Sequence, residues 1–348
     1  MGISAKITKQ YKDFTLDVAF ENAGSRLGIL GASGSGKSMT LRCLAGIETP
    51  DAGKIMLNDR VLYDSAAGIN LKPQKRKVGY LFQNYALFPN MTVEENIAAG
   101  LGQIPKNERS EIVTSMIRRF RLEGREKHRP DQLSGGQQQR VAFARIMAYQ
   151  PELLLLDEPF SAMDSYLKDV LQQQLLEMLE DYHGDVIMVS HNRDEIFKLC
   201  QNTMIIHDGK IEVMGDTLEI FRNPQTLESA RISGVKNITP IRRLDAHHLE
   251  ALDWDLVLRC DREIGPEIRY LGFRAHDFIP YWEEPEENGF PVEIKTTAQL
   301  PFETHFYLKA GGDQLCWFIS RDRMQKYLEK GMPRYLRFPS DEKLLLLR

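Results

Sequence analysis

The sequence has few cysteines, and none of them is close to another. Four occur in 348 residues, at Cys43, Cys200, Cys260 and Cys316. The absence of a C-x-x-C pair argues against a zinc site or a redox-active dithiol. Dispersed thiols are typical of proteins in a reducing compartment, so we expect a reduced, cytosolic setting.

Long hydrophobic runs and a strong charge of one sign are also missing. No segment approaches the roughly 18 consecutive apolar residues that a membrane-spanning helix needs, and Met1–Lys6 does not lead into the apolar core of a signal peptide. We therefore expect any membrane span to be supplied by another chain. A net charge of −4 and a pI near 6.1 argue against a mainly electrostatic nucleic-acid binder, so no nucleic-acid partner is expected.

The sequence does contain a complete phosphate-binding loop. The pattern G-x-x-x-x-G-K-S directly follows the apolar run Leu27–Leu30, which we interpret as a strand. Glycines let the backbone N–H groups converge on a β-phosphate, and the helix that begins near Lys37 adds the positive end of its dipole. Lys37 is expected to reach the β- and γ-phosphate oxygens, and Ser38 a bound Mg²⁺. The predicted nucleotide-binding residues here are Gly31, Ala32, Ser33, Gly34, Ser35, Gly36, Lys37, Ser38 and Met39.

Two adjacent acids end an apolar strand later in the chain. Asp157 and Glu158 follow the run Leu153–Leu156. Asp157 fits the carboxylate that holds Mg²⁺ through water, and Glu158 fits the one that polarises the attacking water. Without the phosphate loop, a helix N-cap or a surface turn would explain the pair equally well. With the loop present, we predict that both acids serve triphosphate hydrolysis.

A serine followed by two glycines marks a second helix start. In the run Leu133–Arg140 these residues are Ser134, Gly135 and Gly136, and Gln137 follows them. Such a helix start also binds anions, and one domain has little use for two of them on the same phosphate chain. The two starts are reconciled if the nucleotide site is shared between two subunits.

This second run resembles the signature motif of ABC-type ATPases. The resemblance covers nearly the whole chain, and it implies that Ser134, Gly135, Gly136 and Gln137 contact ATP held by the partner subunit of a homodimer. Gln83 matches the glutamine that senses Mg²⁺ and water in this family. The catalytic residues implied are Lys37, Glu158 and His191, and the metal-binding residues implied are Ser38, Gln83 and Asp157.

Three further family landmarks are present in order. His191 matches the switch histidine, which the resemblance assigns to the γ-phosphate. The segment Ser161–Asp164 matches the dimer-contact loop, with Met163 where leucine is usual. Tyr11 resembles the aromatic residue that stacks on adenine, but Phe14 is close by, and either ring could belong to the core.

The order of predicted elements indicates an α/β fold. Residues 3–29 alternate in polarity, which predicts an antiparallel β subdomain, and later strands alternate with helices, which predicts a mostly parallel sheet. Apolar residues at helical spacing predict an inserted helical subdomain at about 90–150. Downstream segments are short and β-like. We therefore expect a P-loop ATPase domain at 1–234, including the expected helix 166–182, and a small β-barrel-like domain at 235–348.

The segments Leu57–Asp64 and Phe82–Pro89 look like the importer branch of the family, especially its molybdate importers. The resemblance implies an ATPase that energises uptake of molybdate or tungstate at the cytoplasmic face of the membrane. Its implied partners are a transmembrane permease and, indirectly, an extracytoplasmic substrate-binding protein. Import of sulfate, sugar, iron or polyamine is the alternative within the class. A soluble ABC ATPase acting on DNA or ribosomes is the alternative outside it.

Two hypotheses concern regulation and coupling. The C-terminal β domain resembles a regulatory domain of these importers, and an oxyanion bound there would act as a feedback brake. The apolar residues Tyr85, Leu87, Phe88 and Met91 follow Gln83 and could form the surface that contacts a membrane subunit. They could equally form the core of the helical subdomain.

Overall fold

The computed structural model describes residues 2–102, 104–161 and 165–348. The chain divides into two compact units after Leu218. Within the described ranges, no helix is both long and apolar enough to cross a bilayer.

The N-terminal unit is built on one mixed sheet. Its strands are β1 (Ile3–Gln10), β2 (Thr15–Asn22), β3 (Arg26–Leu30), β4 (Ala52–Leu57), β5 (Arg60–Asp64), β6 (Ile69–Asn70), β7 (Val78–Leu81), β8 (Leu153–Asp157), β9 (Asp185–Val189), β10 (Asn202–His207) and β11 (Lys210–Asp216). Across the described part of the sheet, the order is β6-β5-β4-β1-β2-β11-β10-β3-β9-β8-β7. Strands β10, β3, β9, β8 and β7 pair in parallel, whereas β2, β1, β4, β5 and β6 pair in antiparallel.

The parallel strands bring the predicted site to one edge of the sheet. β8 and β9 are buried at every residue, and continuous apolar runs are typical of strands that are covered on both faces. Because parallel strands end at the same edge, the phosphate loop after β3 lies on the same side as three predicted residues. These are Gln83 after β7, Asp157 at the end of β8 and His191 after β9.

Helices flank this sheet and form the predicted insertion. They are α1 (Lys37–Ala45), α2 (Val93–Ala98), α3 (Lys106–Arg119), α4 (Gly135–Ala148), α5 (Ser165–Glu180) and α6 (Arg193–Leu199). The next helix, α7 (Thr217–Arg222), includes the division between the two units. α2, α3 and α4 pack on one another, as the predicted helical subdomain requires. α2 begins at a capping box, in which Thr92 and Glu95 each bond the other's backbone N–H.

Helix α1 is fixed at its C-terminal end by a buried arginine. Arg76 is 0% exposed, and its Nη1 donates to the carbonyl oxygens of Cys43 and Leu44 at 2.9 Å. Its Nε donates to the carbonyl oxygen of Leu71 at 2.8 Å. A cation at a helix C-terminus satisfies free carbonyls and complements the helix dipole. Arg76 therefore ties the end of α1 to the neighbouring chain.

The C-terminal unit is rich in short strands. They are β12 (Asn237–Arg243), β13 (His248–Ala251), β14 (Leu256–Arg259), β15 (Tyr270–Phe273), β16 (Ile279–Tyr281), β17 (Gly289–Pro291), β18 (Ile294–Gln299), β19 (Glu303–Ala310), β20 (Asp313–Ser320), β21 (Tyr335–Arg337) and β22 (Leu345–Leu347). In the described chain they form the sheets β14-β13-β12-β15-β22, β16-β21-β17 and β18-β19-β20. The rings of Trp254, Phe273 and Phe338 pack together in the core of this unit.

The predicted fold class is confirmed, with additions in the C-terminal unit. Two helices there, α8 (Leu227–Ile232) and α9 (Arg321–Lys330), were not predicted. The C-terminal unit begins at Glu219, whereas the sequence suggested a boundary at 234/235. Helix α8 belongs to the C-terminal unit, because Ala230 and Val235 pack with Leu345 and Leu347 of β22. The unit therefore begins 16 residues earlier than the sequence suggested (234 − 218). The change of composition near Gly234 therefore comes after α8 and does not mark the start of the C-terminal unit.

Candidate nucleotide site

The phosphate loop adopts the geometry that its glycines were predicted to allow. Gly36 has a φ of 105° and forms the N-cap of α1 without a side-chain bond to the first turn. Gly31 has no room for a side chain, because a Cβ there would lie 2.3 Å from the carbonyl oxygen of Ile206. The first N–H groups of α1 thus carry no side-chain cap, and such groups bind anions.

Lys37 lies folded over this loop. It is 6% exposed, and its Nζ donates to the carbonyl oxygens of Gly31 and Ala32 at 2.9 and 2.7 Å. Burial lowers the pKa of Lys37, while the nearby charges of Glu158 and Asp157 oppose that shift. The two carbonyl oxygens carry no net charge. Phosphate oxygens of a bound nucleotide would replace them and pair the positive charge of Lys37.

A buried hydroxyl in the loop supports the same conclusion. The Oγ atom of Ser35 has no hydrogen-bond partner among the described residues, and Ser35 is 5% exposed. A buried polar atom without a partner costs free energy. A bound phosphate would supply the missing acceptor, so the loop fits the triphosphate of a nucleotide.

Ser38 and Asp157 meet at the edge of the sheet. The Ser38 hydroxyl donates to Oδ1 of Asp157 at 2.7 Å, and Asp157 is 6% exposed. The pair offers the oxygen ligands that Mg²⁺ prefers. No group of three His, Cys, Asp or Glu residues that could hold a metal occurs in the described chain.

A second donor to Asp157 was not predicted. The hydroxyl of Tyr80, on β7, donates to Oδ2 of Asp157 at 2.8 Å. Burial, and then the neighbouring Asp157 charge, raise the pKa of Tyr80, so the phenol stays protonated and acts as a donor. Both oxygens of Asp157 are therefore held. The sequence suggested that β7 and β8 belong to one sheet, but not that they pair directly.

Glu158 and His191 also lie in direct contact. Nδ1 of His191 is 2.8 Å from Oε2 of Glu158, and the imidazole is 59% exposed. Glu158 has a φ of 48°, an uncommon value for a residue with a side chain. Its N–H donates to the carbonyl oxygen of Val189 at 3.0 Å. The end of β9 thus fixes the backbone of Glu158, and His191 lies beside its carboxylate.

Gln83 reaches the same region through Ser161. Its Nε2 donates to Oγ of Ser161 at 3.2 Å, and that hydroxyl donates to the carbonyl oxygen of Glu158 at 3.1 Å. Ser161 begins the predicted dimer-contact loop. The rest of that prediction, Ala162, Met163 and Asp164, lies outside the described residues.

Tyr11 lies beside the start of α1. Its hydroxyl is 2.8 Å from Sδ of Met39, and both residues line a cavity of about 300 Å³ with Gly36 and Lys37. Phe14 lines the cavity too, but it also packs on the hydrophobic core of the sheet. Tyr11 is therefore the freer of the two rings for an adenine.

The second predicted anion site faces outward from its own unit. Ser134 is the N-cap of α4 and forms a capping box with Gln137. Gln137 Oε1 accepts from the N–H of Ser134 at 2.9 Å. Ser134 and Gly135 are exposed, whereas Gly136 is buried. The helix start is thus formed and open to solvent.

The apolar residues after Gln83 divide between the two roles considered for them. Tyr85 is 6% exposed, whereas Phe88 and Met91 are 45% and 37% exposed. Arg145 donates to the carbonyl oxygen of Tyr85 at 2.9 Å, and its guanidinium lies 5.4 Å from the centre of the Phe88 ring. Tyr85 therefore belongs to the core, and Phe88 and Met91 remain candidates for a docking surface.

The sequence matches known transport ATPases along most of its length. A family model described as ABC transporter matches residues 12–161. The chain is 33% identical over 337 residues to the sulfate/thiosulfate import ATP-binding protein CysA of Thermosynechococcus vestitus, covering 94% of this chain and 93% of that protein. It is 42% identical over 304 residues to the putrescine transport ATP-binding protein PotG of Escherichia coli, covering 83% and 78%. It is 34% identical over 325 residues to the molybdate/tungstate import ATP-binding protein WtpC of Pyrococcus horikoshii, covering 91% of each.

A solved structure matches the N-terminal part of the fold. This is the dimeric ATP-binding cassette MJ0796 in a post-hydrolysis state bound to ADP and Pi, with a TM-score of 0.53 and 28% identity, covering 62% of this chain and 98% of that one. The fold and the site thus define a P-loop ATPase. The chain belongs to the ABC transporter family, in which it is the ATP-hydrolysing subunit of an importer. The predicted ATPase activity and the predicted cassette fold are confirmed.

Proposed function

We propose that this subunit powers the import of a tetrahedral oxyanion, molybdate or tungstate ahead of sulfate, through a separate permease at the cytoplasmic face of the membrane. Relatives named for molybdate/tungstate and for sulfate/thiosulfate align over more than nine-tenths of both chains. These cargoes share charge and tetrahedral geometry, so one class covers both. An extracytoplasmic binding protein would deliver the anion to the permease.

A polyamine is the second candidate cargo. The chain is 42% identical to PotG, although the alignment covers 78% of that protein, compared with 91% of WtpC. An oxyanion and a polyamine have opposite charge. A transport assay therefore separates them directly.

Two residue pairs at one sheet edge carry the proposed chemistry, namely Ser38 with Asp157 and Glu158 with His191. When bound, Mg²⁺ supplies positive charge to the phosphates of ATP. Ser38 and Asp157 would hold the metal, and Gln83 would contact the metal and its bound water. Lys37 would bind the β- and γ-phosphates once it leaves the two loop carbonyls.

Glu158 is the proposed general base of this site. It accepts a proton from the attacking water, and His191 holds the carboxylate in position through the 2.8 Å contact. His191 also contacts the γ-phosphate in this proposal. Removal of Glu158 should therefore block hydrolysis and leave nucleotide binding largely unchanged.

A homodimer is the proposed working unit. The exposed helix start at Ser134 supports this proposal, because its capping box occupies only the N–H groups of Ser134 and Gln137 and leaves those of Gly135 and Gly136 for the ATP of a second subunit. ATP would join the two surfaces, and loss of the γ-phosphate would remove contacts from Ser134 and His191. The resulting opening and closing would drive the permease.

Uptake by the reconstituted importer tests the cargo. The ATPase, its permease and its binding protein would be placed in liposomes containing ATP and offered molybdate, tungstate, sulfate, putrescine and Fe³⁺ in turn. We expect ATP-dependent uptake of molybdate or tungstate. The matched control is a complex with Glu158→Gln, which should assemble but transport nothing.

Uptake of putrescine without any oxyanion would overturn the proposed cargo and favour the polyamine importer. Recovery of the chain on ribosomes or DNA, with no membrane partner, would instead favour the soluble ABC ATPase. The two results are distinguishable, because only the first needs a permease.

A further inference from the structure

A cavity of about 240 Å³ lies away from the nucleotide site, among the end of α3, α4 and α5. Its floor is apolar and consists of Phe120, Phe143, Leu171, Leu175 and Met178. Each of these residues is at most 8% exposed. An apolar cavity of about 150 Å³ accommodates benzene. By that scale this cavity accommodates a ligand of roughly ten non-hydrogen atoms.

Two buried polar atoms at this cavity lack partners. Gln139 is 1% exposed and lines the cavity, and its Oε1 has no hydrogen-bond partner among the described residues. Nε of Arg140, which also lines the cavity, is likewise buried and unpartnered there. Such atoms are costly in a folded protein unless a ligand or water satisfies them. The side chains that carry this N–H donor and this acceptor therefore border the apolar floor.

The charge at the mouth selects the sign of the ligand. Arg119, Arg121 and Arg140 line the cavity together with the acids Glu177 and Asp181, which leaves one positive charge in excess. Arg119 lies 3.9 Å from Asp181, so those two charges largely offset each other. Arg140 is half-buried, and its Nη1 donates to the backbone oxygen of Arg121 at 3.1 Å. An anion with an apolar body fits this arrangement better than a cation does.

The side chain of Gln139 connects the cavity to the backbone that follows Glu158. Nε2 of Gln139 donates to the carbonyl oxygen of Pro159 at 3.0 Å, and Pro159 follows Glu158 directly. The same helix, α4, begins at Ser134. A ligand that bonds Oε1 of Gln139 would thus fix a side chain that holds the Glu158–Pro159 backbone.

We infer that this cavity is an effector site for a small amphiphilic hydroxycarboxylate, and that its occupancy acts on ATP turnover through Gln139. The carboxylate accepts from Nε of Arg140, and its apolar body covers the floor. The hydroxyl next to the carboxylate donates to Oε1 of Gln139, which can only accept. The inference does not rest on the proposed cargo, because no cargo contact takes part in it.

2-Hydroxyoctanoate, which has eleven non-hydrogen atoms, is the probe for both polar contacts, and octanoate, which lacks the hydroxyl, is the probe for the Arg140 contact alone. Calorimetric titration of either into the full chain should give a dissociation constant of the order of 10⁻⁴ M, as expected for ligands of this size. Octylamine should bind at least ten times more weakly. Saturating 2-hydroxyoctanoate should change ATP turnover at least two-fold, whereas octanoate, which has no donor for Gln139, should leave turnover unchanged. Octanoate binding should persist in Lys37→Ala, which separates this site from the phosphate loop.

Three arginine variants localise the binding. Arg140→Gln should weaken octanoate binding at least ten-fold, and Arg121→Gln, a change at an exposed position, should weaken it several-fold. Arg118→Gln is the matched control, since Arg118 is also exposed at the end of α3 but does not line the cavity, and it should bind as the unaltered chain does. Absence of saturable binding up to 10 mM octanoate, equal affinity in all three variants, or loss of binding in Lys37→Ala would overturn the site. Binding of 2-hydroxyoctanoate without any change in turnover would overturn the coupling.

Discussion

Replacement of Tyr80 by phenylalanine is expected to reduce the affinity of the site for Mg²⁺. The change removes one hydroxyl, which donates to Oδ2 of Asp157 at 2.8 Å. The ring stays, so its contact with Phe82, 4.4 Å between centroids, is retained. Ser38 still donates to Oδ1 of Asp157 when no metal is bound. If Ser38 turns to the metal as proposed, Tyr80 alone would orient the carboxylate.

The magnitude follows from that difference between the two states. A hydrogen bond to a charged group contributes about 1.5–3 kcal/mol. In the variant, Ser38 still orients the Asp157 carboxylate when no metal is bound, so the metal-bound state is the one that loses more. We assign ~1 kcal/mol to this difference. It corresponds to about a five-fold rise in the Mg²⁺ concentration for half-saturation. At saturating Mg²⁺, the turnover of Tyr80→Phe should lie within about two-fold of that of the unaltered chain, since Glu158 and His191 are unchanged.

Two measurements check this expectation. ATP turnover is titrated with Mg²⁺, and Mn²⁺ binding to the nucleotide-bound chain is followed by electron paramagnetic resonance, which does not depend on turnover. Tyr63→Phe is the matched control, because the Tyr63 hydroxyl is also buried and donates to the carbonyl oxygen of Pro50 at 2.7 Å, away from Asp157. Equal metal dependence in both variants would refute the role of Tyr80, and so would a fall in turnover that excess Mg²⁺ fails to restore.

Four further expectations concern other parts of the chain. Glu158→Gln should bind ATP but lose at least about 100-fold in turnover and form a closed dimer by light scattering; a normal rate would contradict the role of Glu158. Lys37→Ala should weaken ATP binding itself at least about ten-fold in a fluorescent-nucleotide titration, since it removes a buried cation from the loop. Molybdate should slow ATP turnover of the assembled importer if the C-terminal unit is a brake, and constant turnover up to saturating molybdate would exclude one. Hydrogen bonds from His276 and then His305 hold the pKa of Glu303 below its usual range. That stabilisation is present above the ordinary value near 4.5 and is lost as pH falls toward the lowered value. Trp254, Trp282 and Trp317, the three tryptophans of the chain, all lie in the C-terminal unit, so their fluorescence should report acid unfolding that is less pH-dependent in Glu303→Gln.

The sequence predicted the parts of the site that local pattern determines. A glycine-rich loop between a strand and a helix, and acids at the end of a buried strand, are short-range features, and Ser38 and Asp157 do meet. The bounds of α5 were predicted to within about two residues, since the helix is observed at Ser165–Glu180 and was expected at 166–182. These features depend on residues near one another in the chain.

Long-range contacts were beyond the reach of the sequence. The bond from Tyr80 to Asp157 depends on β7 lying directly beside β8, which periodicity does not determine. The unpartnered Oε1 of Gln139 depends on packing between three helices. Helix α9 was missed because it is short and strongly polar, with only Met324 and Tyr327 turned toward the core of its unit.

The guanidinium of Arg76 at the far end of α1 limits how this protein can respond to its nucleotide. Since that end is held by backbone oxygens and the near end is a preformed turn, an arriving phosphate meets donors already in place, and little of its binding energy goes into moving the helix. The response must then come from side chains that exchange partners. At the proposed site, Lys37 would give up two carbonyl oxygens and Ser38 a carboxylate, so we expect the first event after ATP binding to be a local exchange of hydrogen bonds around a helix that does not move.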